Sequence, residues 1–448
     1  ILVSLCKGLL IIMNKMSLEK LEYNKILEKV ASFCHTYIGK DLALKLLPSS
    51  DKTIVKNTLS ETMEAVSLIQ RNSIPPISEI DDISFYIKAL ESSSAISAKA
   101  LLSICNILEM SFELTNYFSD FKDTEEYIFI NNYFSLLYSN QSIIDTIKKS
   151  ILDENTIADN ASNTLSNIRR KEHKLEQDIK SKLTTMLQSS TYSKYIQENV
   201  VTIRNNRYVI PIKQEYRSFV KGFVHDISQS GSTVFIEPIA IFDLNSELNN
   251  LKIEETAEIE KIIYNLSSMI FPYTEEIKQD IEIIGKLDFV FAKARYSNSI
   301  NAITPIINND KFVNLINARH PLIDADKVVP INIYLGKDFN LLIITGPNTG
   351  GKTVCLKTFG LLELMACSGL NIPANEGSSI YIFDNIFADI GDDQSISDSL
   401  STFSSHILNI SKILDTATSD SLVLVDELGS GTDPIERSKS CNQYSRVF

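Results

Sequence analysis

The sequence has no tryptophan and no pair of cysteines in a C-x-x-C arrangement. Its six cysteines are scattered along the chain, which argues against a disulfide framework or a cysteine zinc site and indicates ordinary thiols in a reducing compartment. No segment reaches the roughly 18 consecutive apolar residues that a membrane-spanning helix needs. With 44% hydrophobic and 22% charged residues, the chain is predicted to be a folded cytoplasmic protein without a membrane partner.

An excess of positive charge is also absent. The chain has 43 Lys and Arg against 56 Asp and Glu, a net charge of −13, which argues against attraction of its whole surface to nucleic acid. The window 161–221 is the exception, because it holds twelve basic and only five acidic residues. Such a window favours a polyphosphate partner, although a solvated helix face with i,i+4 ion pairs gives the same pattern. The candidate nucleic-acid contacts are Arg169, Arg170, Lys171, Arg204, Arg207 and Lys213.

Glycine and proline are missing from residues 77–210, whereas 10 of the 15 glycines lie between Gly336 and Gly431. Since these two residue types interrupt helices, the front of the chain is predicted to be helical and the back to be rich in turns. Helices are predicted over Ser17 to Leu47 and over Ile54 to Gln70.

Two long helices are predicted farther along, over 161–188 and from Asp243 to about Ile270. Both segments carry apolar residues at spacings of three, four and seven, which indicates one continuous stripe on each helix. Their length predicts an antiparallel coiled arm. The four segments rich in β-branched and aromatic residues between them, within about 200–238, predict a small β-unit.

A glycine-rich loop of the pattern G-x-x-x-x-G-K-[ST] follows the apolar run 341–344, which is predicted to be a buried parallel strand, and precedes a predicted helix over Val354 to Met365. Glycines let backbone N–H groups surround phosphate oxygens, Lys352 reaches the β- and γ-phosphates, and the Thr353 hydroxyl ligates Mg²⁺. ATP and Mg²⁺ are therefore the predicted cofactors. The predicted ATP-binding residues are Gly346, Pro347, Asn348, Thr349, Gly350, Gly351, Lys352 and Thr353.

A second apolar run, 421–425, ends in Asp426 and Glu427. Ligands bind at the carboxyl ends of strands in open α/β sheets, so Asp426 is predicted to lie beside the Mg²⁺ held by Thr353. Glu427 is predicted to be the catalytic residue that orients or deprotonates the attacking water. Such a pair of acidic residues alone is typical of a strand-to-turn boundary, but together with the upstream loop it favours nucleotide hydrolysis.

The segment from Ser397 to His406 is rich in hydroxyl groups and is predicted to open a helix that runs to about Leu414. The N-terminus of such a helix binds phosphate, while plain N-capping by serine explains the composition equally well. His406 and the other four histidines are interpreted as structural residues.

Several segments together resemble the MutS family, in the branch called endonuclease MutS type two. The resemblance extends over about residues 17–436. The segments that carry it are the loop at 346–353, Ile390 to His406, Val425 to Pro434, Ala318 to Pro321, Val201 to Pro211, Val224 to Asp226, Phe235 to Pro238 and Leu18 to Ile26.

The resemblance implies a homodimeric ABC-type ATPase in which Ser399, Ser401 and Thr402 of one subunit close over the nucleotide held by the other. The expected fold is multidomain: an all-α core and long helical lever and clamp arms with a small β insertion, followed by an α/β P-loop ATPase domain. The predicted division is an upstream or non-native extension at 1–16, a helical core at 17–160, lever and clamp arms at 161–300, and the ATPase domain at 301–448.

Members of this branch are associated with suppression of recombination through branched DNA, and also with rescue of stalled or collided ribosomes. The basic window suits DNA and rRNA equally, so both partners remain open at this point. A structural coiled-arm protein with a vestigial nucleotide site is the third alternative, and the intact residues at 352, 353, 426 and 427 argue against it.

The last twelve residues, 437–448, depart from the family pattern, which continues with a small-residue helix and a nuclease-type Smr domain. A truncated or frame-shifted product is the expected explanation. This departure puts endonuclease activity in doubt and weakens the expectation of ATP turnover and dimerisation.

Overall fold

The computed structural model describes residues 15–121, 126–347, 350–391 and 399–426, and the side chains of residues 399–407 are outside that description. The described residues form thirteen α-helices and twelve strands in four small sheets. The helices are α1 (Lys15–Lys20), α2 (Tyr23–Ser32), α3 (Tyr37–Leu44), α4 (Lys52–Arg71), α5 (Ser84–Glu91), α6 (Ala98–Ser119), α7 (Ile128–Phe134), α8 (Gln141–Ser150), α9 (Asn163–Gln188), α10 (Ile239–Ile270), α11 (Thr274–Ser299), α12 (Lys352–Cys367) and α13 (Ser399–Thr416).

The strands are short and lie mostly in the second half of the chain. They are β1 (Ile151–Asp153), β2 (Thr156–Ile157), β3 (Thr202–Arg204), β4 (Arg207–Lys213), β5 (Gly222–Ile227), β6 (Thr233–Pro238), β7 (Ile306–Asn308), β8 (Val313–Ala318), β9 (Ile331–Leu335), β10 (Ser379–Tyr381), β11 (Asn385–Asp389) and β12 (Ser421–Val425). Helices dominate the front of the chain, as the distribution of glycine and proline predicted.

The described residues fall into two compact units. Unit one is built from the described parts of Ile1–Ile80, Met110–Tyr138 and Lys278–Phe448, and unit two from Asp81–Glu109 and Ser139–Ile277. The four-part division derived from the sequence stays a prediction.

Near the front of unit one the chain forms three short helices where the sequence predicted helix from Ser17 to Leu47. Glu22 has a φ of 57°, which breaks the helical conformation between α1 and α2. Thr36 then begins α3, because its side-chain oxygen accepts a hydrogen bond from the backbone N–H of Gly39 at 2.9 Å. The helix predicted over Ile54 to Gln70 is confirmed as α4.

Two sheets lie in unit one. One has four strands in the order β7-β10-β8-β9, and the other is the parallel pair β11-β12. Their core is continuous with the buried faces of α2 and α12, as the shared cluster of buried apolar side chains shows. The parallel pair matters for function, because its two strands end side by side at Asp389 and Val425.

Helix α12 is the most completely buried helix segment of this core. Every residue from Thr358 to Cys367 is buried, so the helix has apolar neighbours on all sides. A Cβ atom at Gly360 would lie 2.5 Å from Leu424 Cδ1 and 2.8 Å from both δ carbons of Leu21. Glycine therefore lets α12 approach β12 and the end of α1 closely. At its C-terminal end, the Tyr23 hydroxyl donates to Ser368 Oγ at 2.6 Å.

The prediction of a strand over residues 341–344 is wrong. None of the twelve described strands pairs with this run, and Leu341, Leu342 and Ile343 are 45%, 41% and 71% exposed. A short apolar run indicates a strand only when a neighbouring strand accepts and donates its backbone hydrogen bonds. In the described residues β12 pairs with β11 alone, so the α/β P-loop architecture expected for this region stays a prediction.

In unit two, α9 and α10 pack against each other as antiparallel helices. Arg169 near the start of α9 pairs with Glu255, whereas Glu176, about two turns later, pairs with Lys252, which is earlier in α10. The predicted stripe is buried at Leu165, Ile168, Ile179, Leu183 and Leu187. Ser162 caps α9, since its Oγ accepts from the Leu165 N–H at 3.0 Å. The two long helices predicted from the sequence are confirmed.

Between these helices lies a four-stranded antiparallel sheet in the order β3-β4-β6-β5. Its core combines Ile210 and Ile212 of β4 with Val234 and Ile236 of β6, against apolar side chains of α9 and α10. Five consecutive residues of β4, from Tyr208 to Ile212, are buried. The predicted β-unit is therefore confirmed.

Within the described residues, no helix is long and apolar enough to cross a membrane. The cysteines at 34, 105, 355 and 367 are free thiols. The other two, Cys6 and Cys441, lie outside the described residues.

The pH dependence of stability is predicted to include a contribution from Glu363 in α12. Both of its carboxyl oxygens are buried without a hydrogen-bond partner among the described residues, and burial raises its pKa well above the usual 4.5. The folded protein therefore keeps this proton to a higher pH than the unfolded chain, and its stability falls as pH rises above about 4.5. We expect Glu363→Leu to raise the urea midpoint, by more at pH 8 than at pH 5.

The matched control is Glu113→Leu, which replaces an exposed glutamate of α6. We expect that change to alter the midpoint equally at both pH values. A pH-independent gain in Glu363→Leu would contradict the assignment.

Candidate nucleotide site and basic surface

The described part of the loop before α12 contains two glycines in a backbone conformation that other residues rarely adopt. Gly346 and Gly351 have φ values of 155° and 78°, in the region that favours glycine. The Gly350 N–H donates to the Pro347 carbonyl at 2.9 Å, which closes a turn. Asn348 and Thr349 lie outside the described residues. Gly351 is the N-cap of α12, so the loop lies at the N-terminus of this helix, the end at which α-helices bind phosphate.

Lys352 and Thr353 begin α12, and each side chain forms a hydrogen bond with another part of the chain. The Lys352 ammonium donates to the Gly346 carbonyl at 2.7 Å, which places the positive charge across the loop. The Thr353 hydroxyl donates to Asp426 Oδ2 at 2.5 Å. Two oxygens that the sequence separates by 73 residues therefore lie together, as Mg²⁺ ligands must.

Asp389 is a residue that the sequence reasoning missed. It ends β11 beside the end of β12, it is 3% exposed, and its Oδ1 accepts from Asn409 Nδ2 of α13 at 2.9 Å. Its backbone carbonyl accepts from the Asp426 N–H at 2.9 Å. The sequence contained a signal for Asp389, because this acidic residue follows the apolar run 386–388 just as Asp426 follows the apolar run 421–425.

A cleft with a volume of about 650 Å³ opens on the other side of Thr353. Its walls come from α2, from the turn at 320–323 and from the first turns of α12, where Lys357 lies 3.8 Å from Glu22. Burial lowers the pKa of His320, Glu22 acts against that shift, and Lys357 adds to it. The His320 ring accepts from the Leu322 N–H at 3.3 Å, which is the structural role expected of this histidine.

The remaining predicted residues of the nucleotide site are only partly described. Ser399, Ser401 and Thr402 lie in the first turn of α13, which confirms the predicted helix, but their side chains are outside the described residues, as is that of His406. Glu427 also lies outside the described residues.

The six predicted nucleic-acid contacts are all in unit two, and the structure separates them into two groups. Arg169 pairs with Asp159 and with Glu255 at 2.7 Å. Arg207 pairs with Glu237 at 2.8 Å. Both guanidinium groups are about three-quarters buried, so their charge is largely neutralised within the protein.

The other four predicted contacts are more accessible. Arg170 and Lys171 are exposed on α9, and Lys213 is half-buried at the end of β4. Arg204 lies 3.2 Å from Asp226 and 4.3 Å from the centre of the Phe235 ring. Its side chain is 41% exposed, so water screens this pair.

Glu237 is the buried centre of a polar network that joins three strands to α10. Its carboxylate is fully buried and accepts from Arg207 at 2.8 Å and from Asn245 Nδ2 at 2.8 Å. The His225 ring lies 2.6 Å from its second oxygen. The Asn245 side chain also bonds both backbone groups of Tyr208. This network gives Arg207 a structural role that does not involve a ligand.

Comparison with known proteins identifies the family to which the chain belongs. Residues 342–439 match the family model described as MutS domain V. The protein named Endonuclease MutS2 of Acetivibrio thermocellus is 48% identical over 425 residues, which cover 95% of this chain and 54% of the relative. Its namesake in Clostridioides difficile is 45% identical over 426 residues, with the same coverage, and that of Finegoldia magna is 44% identical over 437 residues, or 97% and 56%.

The chain belongs to the MutS family, in its type-two branch. The resemblance predicted from the motifs is thereby confirmed. The chain spans about half the length of the curated MutS2 relatives that it matches. The segment matched to MutS domain V contains α12, β11, α13 and β12, the elements that position Lys352, Thr353, Asp389 and Asp426.

Removing the carboxylate at the centre of the buried network is predicted to destabilise this MutS-family chain. Glu237→Leu leaves Arg207, His225 and Asn245 without their shared acceptor, so we expect the free energy of unfolding to fall by about 3 kcal/mol. Urea denaturation followed by circular dichroism measures this loss.

Asp226→Leu is the matched control, because it breaks the exposed pair with Arg204. Its expected cost is below about 1 kcal/mol. Similar small losses in both variants would show that the network does not stabilise the sheet.

Proposed function

We propose that this chain binds ATP with Mg²⁺ at the N-terminus of α12 and hydrolyses it. The observation that supports this most directly is the hydrogen bond between Thr353 and Asp426, beside the charge of Lys352. The Thr353 hydroxyl and the Asp426 carboxylate are hard oxygen ligands of the kind that Mg²⁺ prefers. The Lys352 ammonium lies beside the glycine-rich loop, where its positive charge can bind phosphate. The donor set therefore fits the cofactor.

Each residue has a separate part in the proposed reaction. The loop from Gly346 to Gly351 surrounds the phosphates with backbone N–H groups, and Lys352 offsets their charge. Thr353 and Asp426 would hold Mg²⁺, which when bound neutralises charge on the β- and γ-phosphate oxygens. Glu427, which follows Asp426 directly, orients and deprotonates the attacking water. Asp389 positions the Asp426 backbone through their hydrogen bond.

The proposed working form is a homodimer. Ser399, Ser401 and Thr402 lie at the N-terminus of α13, where unpaired backbone N–H groups attract phosphate. In this proposal these residues approach the nucleotide held by a second copy of the chain. Asn409 of the same helix donates a hydrogen bond to Asp389. In this proposal, a movement of α13 toward the nucleotide of the second copy therefore also moves Asp389 and, through it, Asp426.

The proposed partner is DNA with branched structure, and the proposed role is suppression of recombination. The matched relatives are named endonucleases, and exposed basic side chains of unit two offer a surface for phosphates. Arg169, Arg204 and Arg207 form ion pairs within the protein and are set aside, so Arg170, Lys171 and Lys213 are the contacts we retain. Hydrolysis at α12 is proposed to control release of the DNA.

The division of roles between Lys352 and Glu427 is testable. We expect Lys352→Ala to weaken ATP binding about 100-fold, because a charge-assisted contact to phosphate is lost. We expect Glu427→Gln to bind ATP within about twofold of wild type and to hydrolyse it at least about 100-fold more slowly. Equilibrium dialysis and phosphate release measure the two effects, and equal loss of binding in both variants would contradict the proposal.

The DNA surface is tested through salt dependence. We expect the triple change Arg170→Gln, Lys171→Gln and Lys213→Gln to weaken binding to a four-way junction and to reduce the slope of log K against log salt by about two to three, since each lost phosphate contact contributes about 0.9. The matched control is Lys56→Gln, Lys88→Gln and Lys149→Gln, three exposed lysines elsewhere on the chain. Equal slopes in both triples, or binding to ribosomes without binding to the junction, would contradict the proposal.

A further inference from the structure

Three aromatic side chains of unit two form a cluster that the proposed function has not used. The Tyr195 and Phe219 rings stack with centres 5.5 Å apart and planes at 20°. Tyr216 completes the group, with its ring centre 5.2 Å from that of Tyr195 and 6.0 Å from that of Phe219. We call Tyr195, Tyr216 and Phe219 the aromatic platform.

The platform is fixed on the sheet rather than carried on a free loop. The Tyr195 carbonyl accepts from the Lys213 N–H at 2.9 Å, and Ile196 forms a β-bridge with Ile212 of β4. Tyr195 and Tyr216 also pack against the apolar core of the β-unit. The rings are therefore held in place before any partner binds, which lowers the entropy that binding has to overcome.

Phe219 is the accessible member of the platform. Its side chain is 61% exposed, although one side of the ring lies on Tyr195. The exposed fraction therefore comes from the part of the ring turned away from Tyr195. Folding gains little from an aromatic ring in this position, because most of its apolar surface stays in water.

The surroundings of the platform are positively charged. Residues 189–222 include six basic and two acidic side chains. Two of the six, Arg204 and Arg207, pair with acidic residues. The other four have no ion-pair partner among the described residues: Lys194, Lys213, Arg217 and Lys221. The Lys194 ammonium lies 4.9 Å from the centre of the Tyr195 ring.

We propose that the aromatic platform binds single-stranded nucleic acid, with a base stacked on the exposed part of Phe219 and with Lys194, Arg217 and Lys221 contacting the flanking phosphates. Stacked aromatic rings bordered by basic side chains are how proteins hold unpaired strands without reading their sequence. Duplex bases are already stacked on each other and do not offer a face to Phe219. The inference rests on the proposed DNA binding and narrows it to the unpaired strands at a branch.

The experiment uses Phe219→Trp in the full chain. Since the chain has no tryptophan, the introduced indole is the only one and reports directly on stacking. We expect an unlabelled 20-nucleotide thymidine oligomer to quench its emission and a blunt 20-base-pair duplex to leave it unchanged. The matched control is Phe223→Trp, at another exposed phenylalanine, 51% exposed and packed against Phe242. We expect no quenching there.

Binding constants give a second readout. Phe219→Ala is expected to weaken binding of the thymidine oligomer about 5- to 100-fold. Its salt slope should stay unchanged, because no phosphate contact is lost. Phe219→Leu keeps an apolar side chain but no ring, so we expect the same loss. Wild-type affinity in Phe219→Leu would overturn stacking as the mode of binding.

The outcomes separate this inference from the proposed function. If wild-type protein binds the four-way junction but Phe219→Trp is not quenched by the oligomer, the platform is overturned and the DNA proposal stands. If wild-type protein binds neither junction nor oligomer, both are overturned. Quenching at 219 together with an unaltered emission at 223 supports the platform.

Discussion

The burial of the last ten residues of α12 is the constraint on which the nucleotide site depends. Ten consecutive residues of this helix are buried, so it cannot rotate or shift without disturbing apolar side chains of α1, α2 and β12. Closely packed side chains are hard to compress, so the position of one end of the helix fixes the position of the other. The first turn of α12, which emerges from the core, consequently holds Lys352 and Thr353 in a fixed direction relative to the ends of β11 and β12.

The small size of Gly360 makes this arrangement possible. A Cβ atom there would meet the methyl groups of Leu424 in β12 and of Leu21, and these side chains would have to shift to make room for it. Glycine at this position therefore allows α12 and β12 to pack closely, on the same helix that carries Lys352 and Thr353 at its start.

Unit two shows how the same residue type serves two purposes. Arg169 and Arg207 have buried or half-buried carboxylate partners and stabilise the helix pair and the sheet, respectively. Arg170 and Lys171 of α9 are exposed to water, and so is Arg217, which follows β4 in the chain. Desolvation decides the difference, because a guanidinium that leaves water has to gain an acceptor in return. Positive charge in the sequence therefore overstates the charge that a nucleic acid would meet.

The sequence by itself determined the long helices α9 and α10 and the β-unit between them. It also determined helix α12, which begins with Lys352 and Thr353, and strand β12, which Asp426 follows. These features depend on periodicity and on local backbone preferences, which neighbouring residues encode. The tertiary structure alone decided the rest: that 341–344 is not a strand, that Glu22 interrupts the first helix, that Asp389 joins Asp426, and that Arg207 is internally paired. The run 341–344, Asp389 and Arg207 each depend on whether a distant part of the chain supplies a partner, and a linear pattern does not specify which groups meet after folding.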